Sequence, residues 1–202
     1  MNYIIKALTL ELAMDFFDFF DNRAFTDNSP MQPCYCCTLN MTNDQIKHNV
    51  FSQVEINGGG KEGLRLTLRN IAKKAIQEGD LKGYLAYDNG IAIAWCNAND
   101  KTYYRQIPSF ANENNIGRTK SLMCFEVSPE YRGKGIATAL LERVIMDAEA
   151  DGYIAIEGYP YLHKNRETFD FVGPVRLYEK CGFSKEAQQD NIFLMRKVLN
   201  SK

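Results

Sequence analysis

The chain has almost no net charge. Its 24 lysines and arginines stand against 25 aspartates and glutamates, for a formal charge of -1. No global field therefore draws it to nucleic acid or to an acidic membrane, and any anion must be recognised locally. Long apolar runs are also missing. No stretch approaches the roughly 20 residues that a membrane-spanning helix needs. The opening "MNYIIKALTL" carries Lys6 inside a short mixed run, which is not the pattern of a signal peptide. With six cysteines, this leads to the expectation of reduced thiols and a cytoplasmic location. Histidine is scarce: His48 and His163 have no ligand-like partners nearby in sequence. "CYCC" sets Cys34 and Cys37 at C-x-x-C spacing with Cys36 between them. The second pair that a zinc site needs is absent, because Cys96, Cys124 and Cys181 are scattered singly. The expectation is no metal, with the thiols as small packing residues. A thiol-based redox or metal protein stays open as a further alternative.

The chain does have the composition of a globular protein, 45% apolar and 24% charged. Its 202 residues fit one domain, 1–202. The pattern predicts a strand over Tyr3–Thr9 and a helix over Glu11–Asn22, with Leu12, Phe16, Phe19 and Phe20 on one face. A long shaped loop follows, with a candidate strand at Cys34–Leu39. Helix is expected again from Asn43, broken at Asn57–Gly63, and resumed from Leu64 to a stop at Gly79. Then the period changes. Asp88-Asn89-Gly90 between two apolar runs signals a hairpin with a type I′ turn. Further expected elements are a strand over Ser121–Val127, a helix over Gly135–Ala150 and a strand over Tyr153–Tyr159. A short helix lies in "GPVRLYEKCGF", and a last strand covers Asn191–Leu199.

The informative stretch is "SPEYRGKGIATALLERV", where two glycines and two cations separate a strand from a helix. A P-loop does not fit, since its glycines have four residues between them and are followed by Lys-Ser/Thr. A dinucleotide fingerprint is nearly met by Gly133-Lys134-Gly135, with Glu157 as the ribose acid. But Thr138 stands at the third glycine, five residues separate Val127 from Gly133, and too little chain follows for a doubly wound sheet. What fits is a Q/R-x-x-G-x-G/A cradle, Arg132 to Ala137. Small residues there let backbone N–H groups face phosphate oxygens, and the helix adds its positive end. A diphosphate on a long cofactor is the expected ligand.

"VSPEYRGKGIATALLERV" resembles the acyl-CoA-binding motif of the GNAT superfamily of N-acetyltransferases. "LYEKCGF" (Leu177–Phe183) resembles that superfamily's tyrosine-bearing second motif, and the order of elements agrees. The resemblance implies an α/β (α+β) fold: a mixed, mostly antiparallel central sheet with a splayed strand pair, flanked by helices. It implies acetyl-CoA as cosubstrate, an amine acceptor, and a monomer or homodimer. Phe125, Glu126 and Val127 would pair with the pantetheine arm. Arg132, Gly133, Lys134, Gly135, Ile136, Ala137 and Thr138 would hold the diphosphate. Tyr178 matches the motif tyrosine and is the implied general acid. Glu157 is the first candidate for general base, Glu126 the second, and a water chain the third. One departure stands out: Phe171 occupies the position where the family often has an asparagine, a contact that Asn165 could supply instead. Asp27, Asn28, Tyr35 and Trp95 are candidates to meet the amine, although Trp95, on the hairpin strand, reads more readily as core. A non-catalytic acyl-CoA sensor remains the alternative to an enzyme.

Overall fold

A computed structural model describes residues 3–27, 29, 31–112, 117–162 and 171–199 of the chain. Strand β1 (Ile4–Ala7) leads through a short 3-10 turn into α1 (Ala13–Asn22). Phe16, Phe17, Phe19 and Phe20 of α1 are buried because their spacing puts them on one side of the helix. The stretch Cys34–Leu39 is not a strand; it winds over the sheet as irregular chain. Its apolar residues mimic a strand pattern, but Cys36 sits at φ 47°, outside extended backbone.

Helix α2 (Asn43–Ile46) starts at Thr42 with a reciprocal capping box to Gln45. It continues through a π-helical stretch, Lys47–Phe51, into α3 (Ser52–Val54). Helix α4 (Gly60–Gln77) begins earlier than its apolar pattern suggests, inside the glycine run. Gly63 has a packing reason: a Cβ there would lie 2.3 Å from the Val54 carbonyl oxygen.

Strands β2 (Gly83–Asp88) and β3 (Ile91–Asp100) form the expected hairpin. Asn89 and Gly90 take φ 48° and 81°, as a type I′ turn requires. Next come β4 (Thr119–Val127), α5 (Ile136–Ala150), β5 (Ala155–Gly158) and α6 (Val175–Lys180). The chain then adds β6 (Ser184–Gln189), which the sequence did not suggest, and β7 (Ile192–Val198). The seven strands form one sheet in the order β1-β2-β3-β4-β5-β7-β6. The β4–β5 pair is parallel and the other neighbours are antiparallel.

Both faces of the sheet are covered. Leu85, Tyr87 and Trp95 face α1 and α4; Tyr84, Ala86 and Cys96 face α5. Trp95 is fully buried, its ring 5.0 Å from that of Phe16. Among the described residues, no helix is long and apolar enough to cross a membrane.

Strand β4 matters most for function. It pairs with β5 from Thr119↔Ala155 to Leu122↔Gly158 and no further. On its other edge the pairing with β3 runs on to Ala94↔Val127. The last residues of β4 thus have a sheet neighbour on one side only, and the strand pair opens into a V. At the apex, Gly158 lets the Tyr178 ring lie against the backbone, where a Cβ would come within 2.2 Å of a ring carbon.

Beside the apex lies a buried ion cluster. Glu157 is fully enclosed, with Lys101 Nζ 2.9 Å from Oε2 and Arg196 Nη2 2.7 Å from Oε1. Tyr159 donates to Glu157 Oε2 at 3.0 Å and lies 2.8 Å from Ser121 Oγ. Lys101 also donates to the Ala111 carbonyl. One carboxylate thereby joins β5, β7 and the 3-10 turn Lys101–Tyr103. Removing it would take the carboxylate away from buried Lys101 and leave Arg196 with the longer 3.7 Å contact to Glu186. Glu157→Ala is expected to lower stability by about 3–5 kcal/mol in urea denaturation. A loss within about 0.5 kcal/mol, the size of an ordinary surface change, would show that the cluster does not hold these elements together.

Candidate active site

A cleft of ≈ 740 Å³ runs along the open end of β4. One wall is Phe125, Glu126 and Val127. The floor is the loop and first turn that begin α5: Arg132, Gly133, Gly135, Ile136, Ala137 and Thr138. The far wall is Phe171, Gly173, Pro174 and the α6 residues Arg176, Leu177 and Lys180. Asp27, Ser29 and Met31 close one end. Most of the residues expected from sequence to meet a cofactor thus share one cleft. Lys134 is the exception: its ammonium turns aside and lies 4.8 Å from the centre of the Tyr131 ring.

The floor is shaped for an anion. Gly133 and Gly135 take φ 77° and 82°, left-handed values that glycine adopts without strain. Nothing lies within 4 Å of where a Cβ of either would stand, so both open onto empty space. Gly135 caps α5 without any side-chain hydrogen bond. The first N–H groups of α5 are therefore available to a ligand, with the positive end of a 15-residue helix behind them. A diphosphate fits this cradle.

Glu126 and Asp27 are the carboxylates that line the cleft. The Glu126 side chain is 13% exposed. Burial pushes its pKa up to about 7, against the opposing pull of Arg132. The Arg132 guanidinium is 3.3 Å from Glu126 and 2.5 Å from Asp27, and it donates to the Val127 carbonyl at 3.0 Å. Hydrogen bonding from Arg132 holds the Asp27 pKa low. Arg132 is thus turned toward Asp27, Glu126 and the end of β4.

The other sequence candidates are spread out. Tyr178 is fully buried on α6 and donates its hydroxyl to the Val172 carbonyl at 2.6 Å. Its ring centre is 6.5 Å from that of Phe125. Glu157 does not line the cleft; it belongs to the ion cluster. Tyr35 is buried and bonds to Asp21, and Trp95 is core. Phe171 enters by its backbone: its carbonyl accepts from the Phe125 N–H at 2.5 Å. Asn28, His163 and Asn165 lie outside the described residues.

The six cysteines are free. Burial pushes the Cys37 and Cys96 thiols well up, which makes them poor thiolates. Among the described residues, no group of three His, Cys, Asp or Glu could hold a metal ion. Sequence reasoning passed over Arg176 and Lys180. Their signal was present: two cations four residues apart share a helix face.

A profile of the family described as "Acetyltransferase (GNAT) domain" matches residues 80–185, just over half of the chain. Comparison with curated proteins gives no match by sequence. Solved structures agree in fold. An acetyltransferase of the GNAT family from Streptococcus pneumoniae is 16% identical with a TM-score of 0.56, over 98% of this chain and 100% of that one. The PaiA N-acetyltransferase from Thermoplasma acidophilum, in complex with coenzyme A, is 16% identical with a TM-score of 0.52, over 98% and 99%. YncA from Salmonella typhimurium, with its cofactor acetyl-CoA, is 14% identical with a TM-score of 0.54, over 100% and 96%. At such identities the likeness is one of fold. The family match spans the β2–β3 hairpin, β4, the glycine loop, α5 and the tyrosine segment, and by it the chain belongs to the GNAT family of acetyltransferases.

Proposed function

We propose that the chain, acting as a single domain, transfers an acetyl group from acetyl-CoA to a primary amine by direct attack. The acceptor is an amine of a small molecule or of a peptide or protein. The observation that carries this reading is the coincidence of three features in one cleft: the open edge of β4, the glycine cradle at α5, and the largely buried carboxylate of Glu126. The PaiA and YncA structures hold coenzyme A and acetyl-CoA, which supports the same ligand here.

The cosubstrate would bring an activated thioester. Gly133, Gly135 and the first N–H groups of α5 would hold its diphosphate, with Arg176 and Lys180 facing them across the cleft. The edge of β4 would pair with the pantetheine amides. The Phe125 N–H, pointing into the V, would donate to the thioester carbonyl oxygen as negative charge develops there. Glu126 would take the proton that the amine loses on attack. Tyr178 would give its hydroxyl proton to the departing sulfur. Glu126 suits the base better than Glu157: it lines the cleft, and a pKa near 7 matches the working pH. Glu157 is enclosed and committed to two cations.

Two experiments test this. Acetyl-CoA at a hundredfold excess over its dissociation constant should stabilise the protein by about 2.7 kcal/mol. Gly135→Asp puts a carboxylate into the open space of the cradle and should abolish that thermal shift. A full shift in the variant would remove the cradle from the site. The second experiment is kinetic, once an amine panel read by thiol release has found an acceptor. A carboxyl with a raised pKa is ionised, and able to act as a base, only above that pKa. The rate should therefore rise with pH through about 7. Glu126→Gln should remove that limb and lower the rate by about 10²-fold or more. An unchanged pH profile in the variant would exclude Glu126 as the base.

A further inference from the structure

Two donors of the proposed site are already in use. The Phe125 N–H donates to the Phe171 carbonyl at 2.5 Å, and the Tyr178 hydroxyl donates to the Val172 carbonyl at 2.6 Å. The acceptors are successive carbonyls of one short segment. That segment lies on the β5 side of β4, beyond Leu122↔Gly158, where β4 has no further strand partner there. Its side chains anchor it. Val172 is 5% exposed, and Phe171 packs against the cluster under α1. Gly173, at φ 76°, brings the backbone so close that a Cβ would be 2.9 Å from Leu177 and 3.3 Å from Phe125.

A backbone N–H and a phenol each have one proton to give. While both are spent on Phe171 and Val172, neither can serve a thioester carbonyl or a leaving sulfur. The cradle is different: Gly133 and Gly135 face open space in the same structure. The phosphate end of the cleft is open, and at the reactive end the chain itself takes up the two donors.

We infer that the Phe171–Val172 backbone is an internal stand-in for the acyl thioester, an autoinhibitory contact that must leave β4 and Tyr178 before acetyl-CoA can seat its reactive end. This rests on the acetyl-CoA reading above. Its cost is a fractional population of the competent form, so that the apparent dissociation constant is the intrinsic one divided by that fraction. Weakening the anchor should tighten acetyl-CoA binding. A residue that simply lines the site would do the opposite when truncated.

The test measures acetyl-CoA and ADP affinities by calorimetry on the full chain and on Phe171→Ala/Val172→Ala. ADP carries the diphosphate but no thioester arm. The expected result is acetyl-CoA binding about tenfold tighter in the variant, as for a seated form about ten times more populated than the open one, with ADP unchanged. Acetyl-CoA affinity equal to or weaker than wild type in a folded variant overturns the inference. Should the variant fail to fold, hydrogen exchange of the wild-type chain decides. Amides of residues 171–173 and 175–177 should exchange faster with saturating acetyl-CoA than with ADP, and slower or equal exchange overturns it. Wild-type protein that binds ADP and acetyl-CoA with neither change refutes only the stand-in. Wild-type protein that binds neither refutes the acetyl-CoA reading and the stand-in with it.

Discussion

The contact of the Tyr178 ring with the backbone of Gly158 sets the geometry on which the site depends. An aromatic ring laid on a glycine at the end of β5 fills the space where a strand would need to continue. Beyond that point β4 keeps its partner on the β3 side and loses the one on the β5 side. A sheet edge in the middle of a sheet is otherwise an unsatisfied row of donors and acceptors. Here it becomes a ligand-binding edge, and the short segment before α6 covers part of it.

Two clusters of charge stand near this edge and differ in kind. Glu157, Lys101 and Arg196 are enclosed, with one carboxylate shared by two cations, and they join three parts of the chain far apart in sequence. Such a cluster tolerates no loss of one partner. Asp27, Arg132 and Glu126 open onto the cleft, and Arg132 divides its guanidinium between two carboxylates and a carbonyl. The carboxylate with the longer contact is the more buried, and burial holds its pKa well above the ordinary carboxylate range.

Much of the fold was legible because local chemistry dictated it. Asn89-Gly90 demanded left-handed backbone, and α5 buries the apolar residues Ile136, Leu140, Val144 and Ala148 that its spacing marked out. The glycine loop was readable for the same reason, since only small residues open a helix start to an anion. Strand β6 was not legible: Ser184–Gln189 is polar and largely exposed, and only its pairing with β7 makes it a strand. Cys34–Leu39 misled in the opposite direction, through burial without extended backbone. Glu157 shows the limit most clearly. Its place at a strand end was visible, but its partners sit 56 residues before it, at Lys101, and 39 after it, at Arg196. No local pattern carries that information.

The same polar strand has a consequence for how copies of the chain meet one another. Strand β6 forms one border of the sheet, and its side chains include Lys185, Glu186 and a run of glutamines with no apolar stripe to bury. The opposite border, β1, is four residues long. A border that is short, or lined with solvated charge, offers little gain to a strand from a second molecule. The sheet can thus keep an open edge at its centre, where a ligand is wanted, while its outer borders resist growth into fibrils.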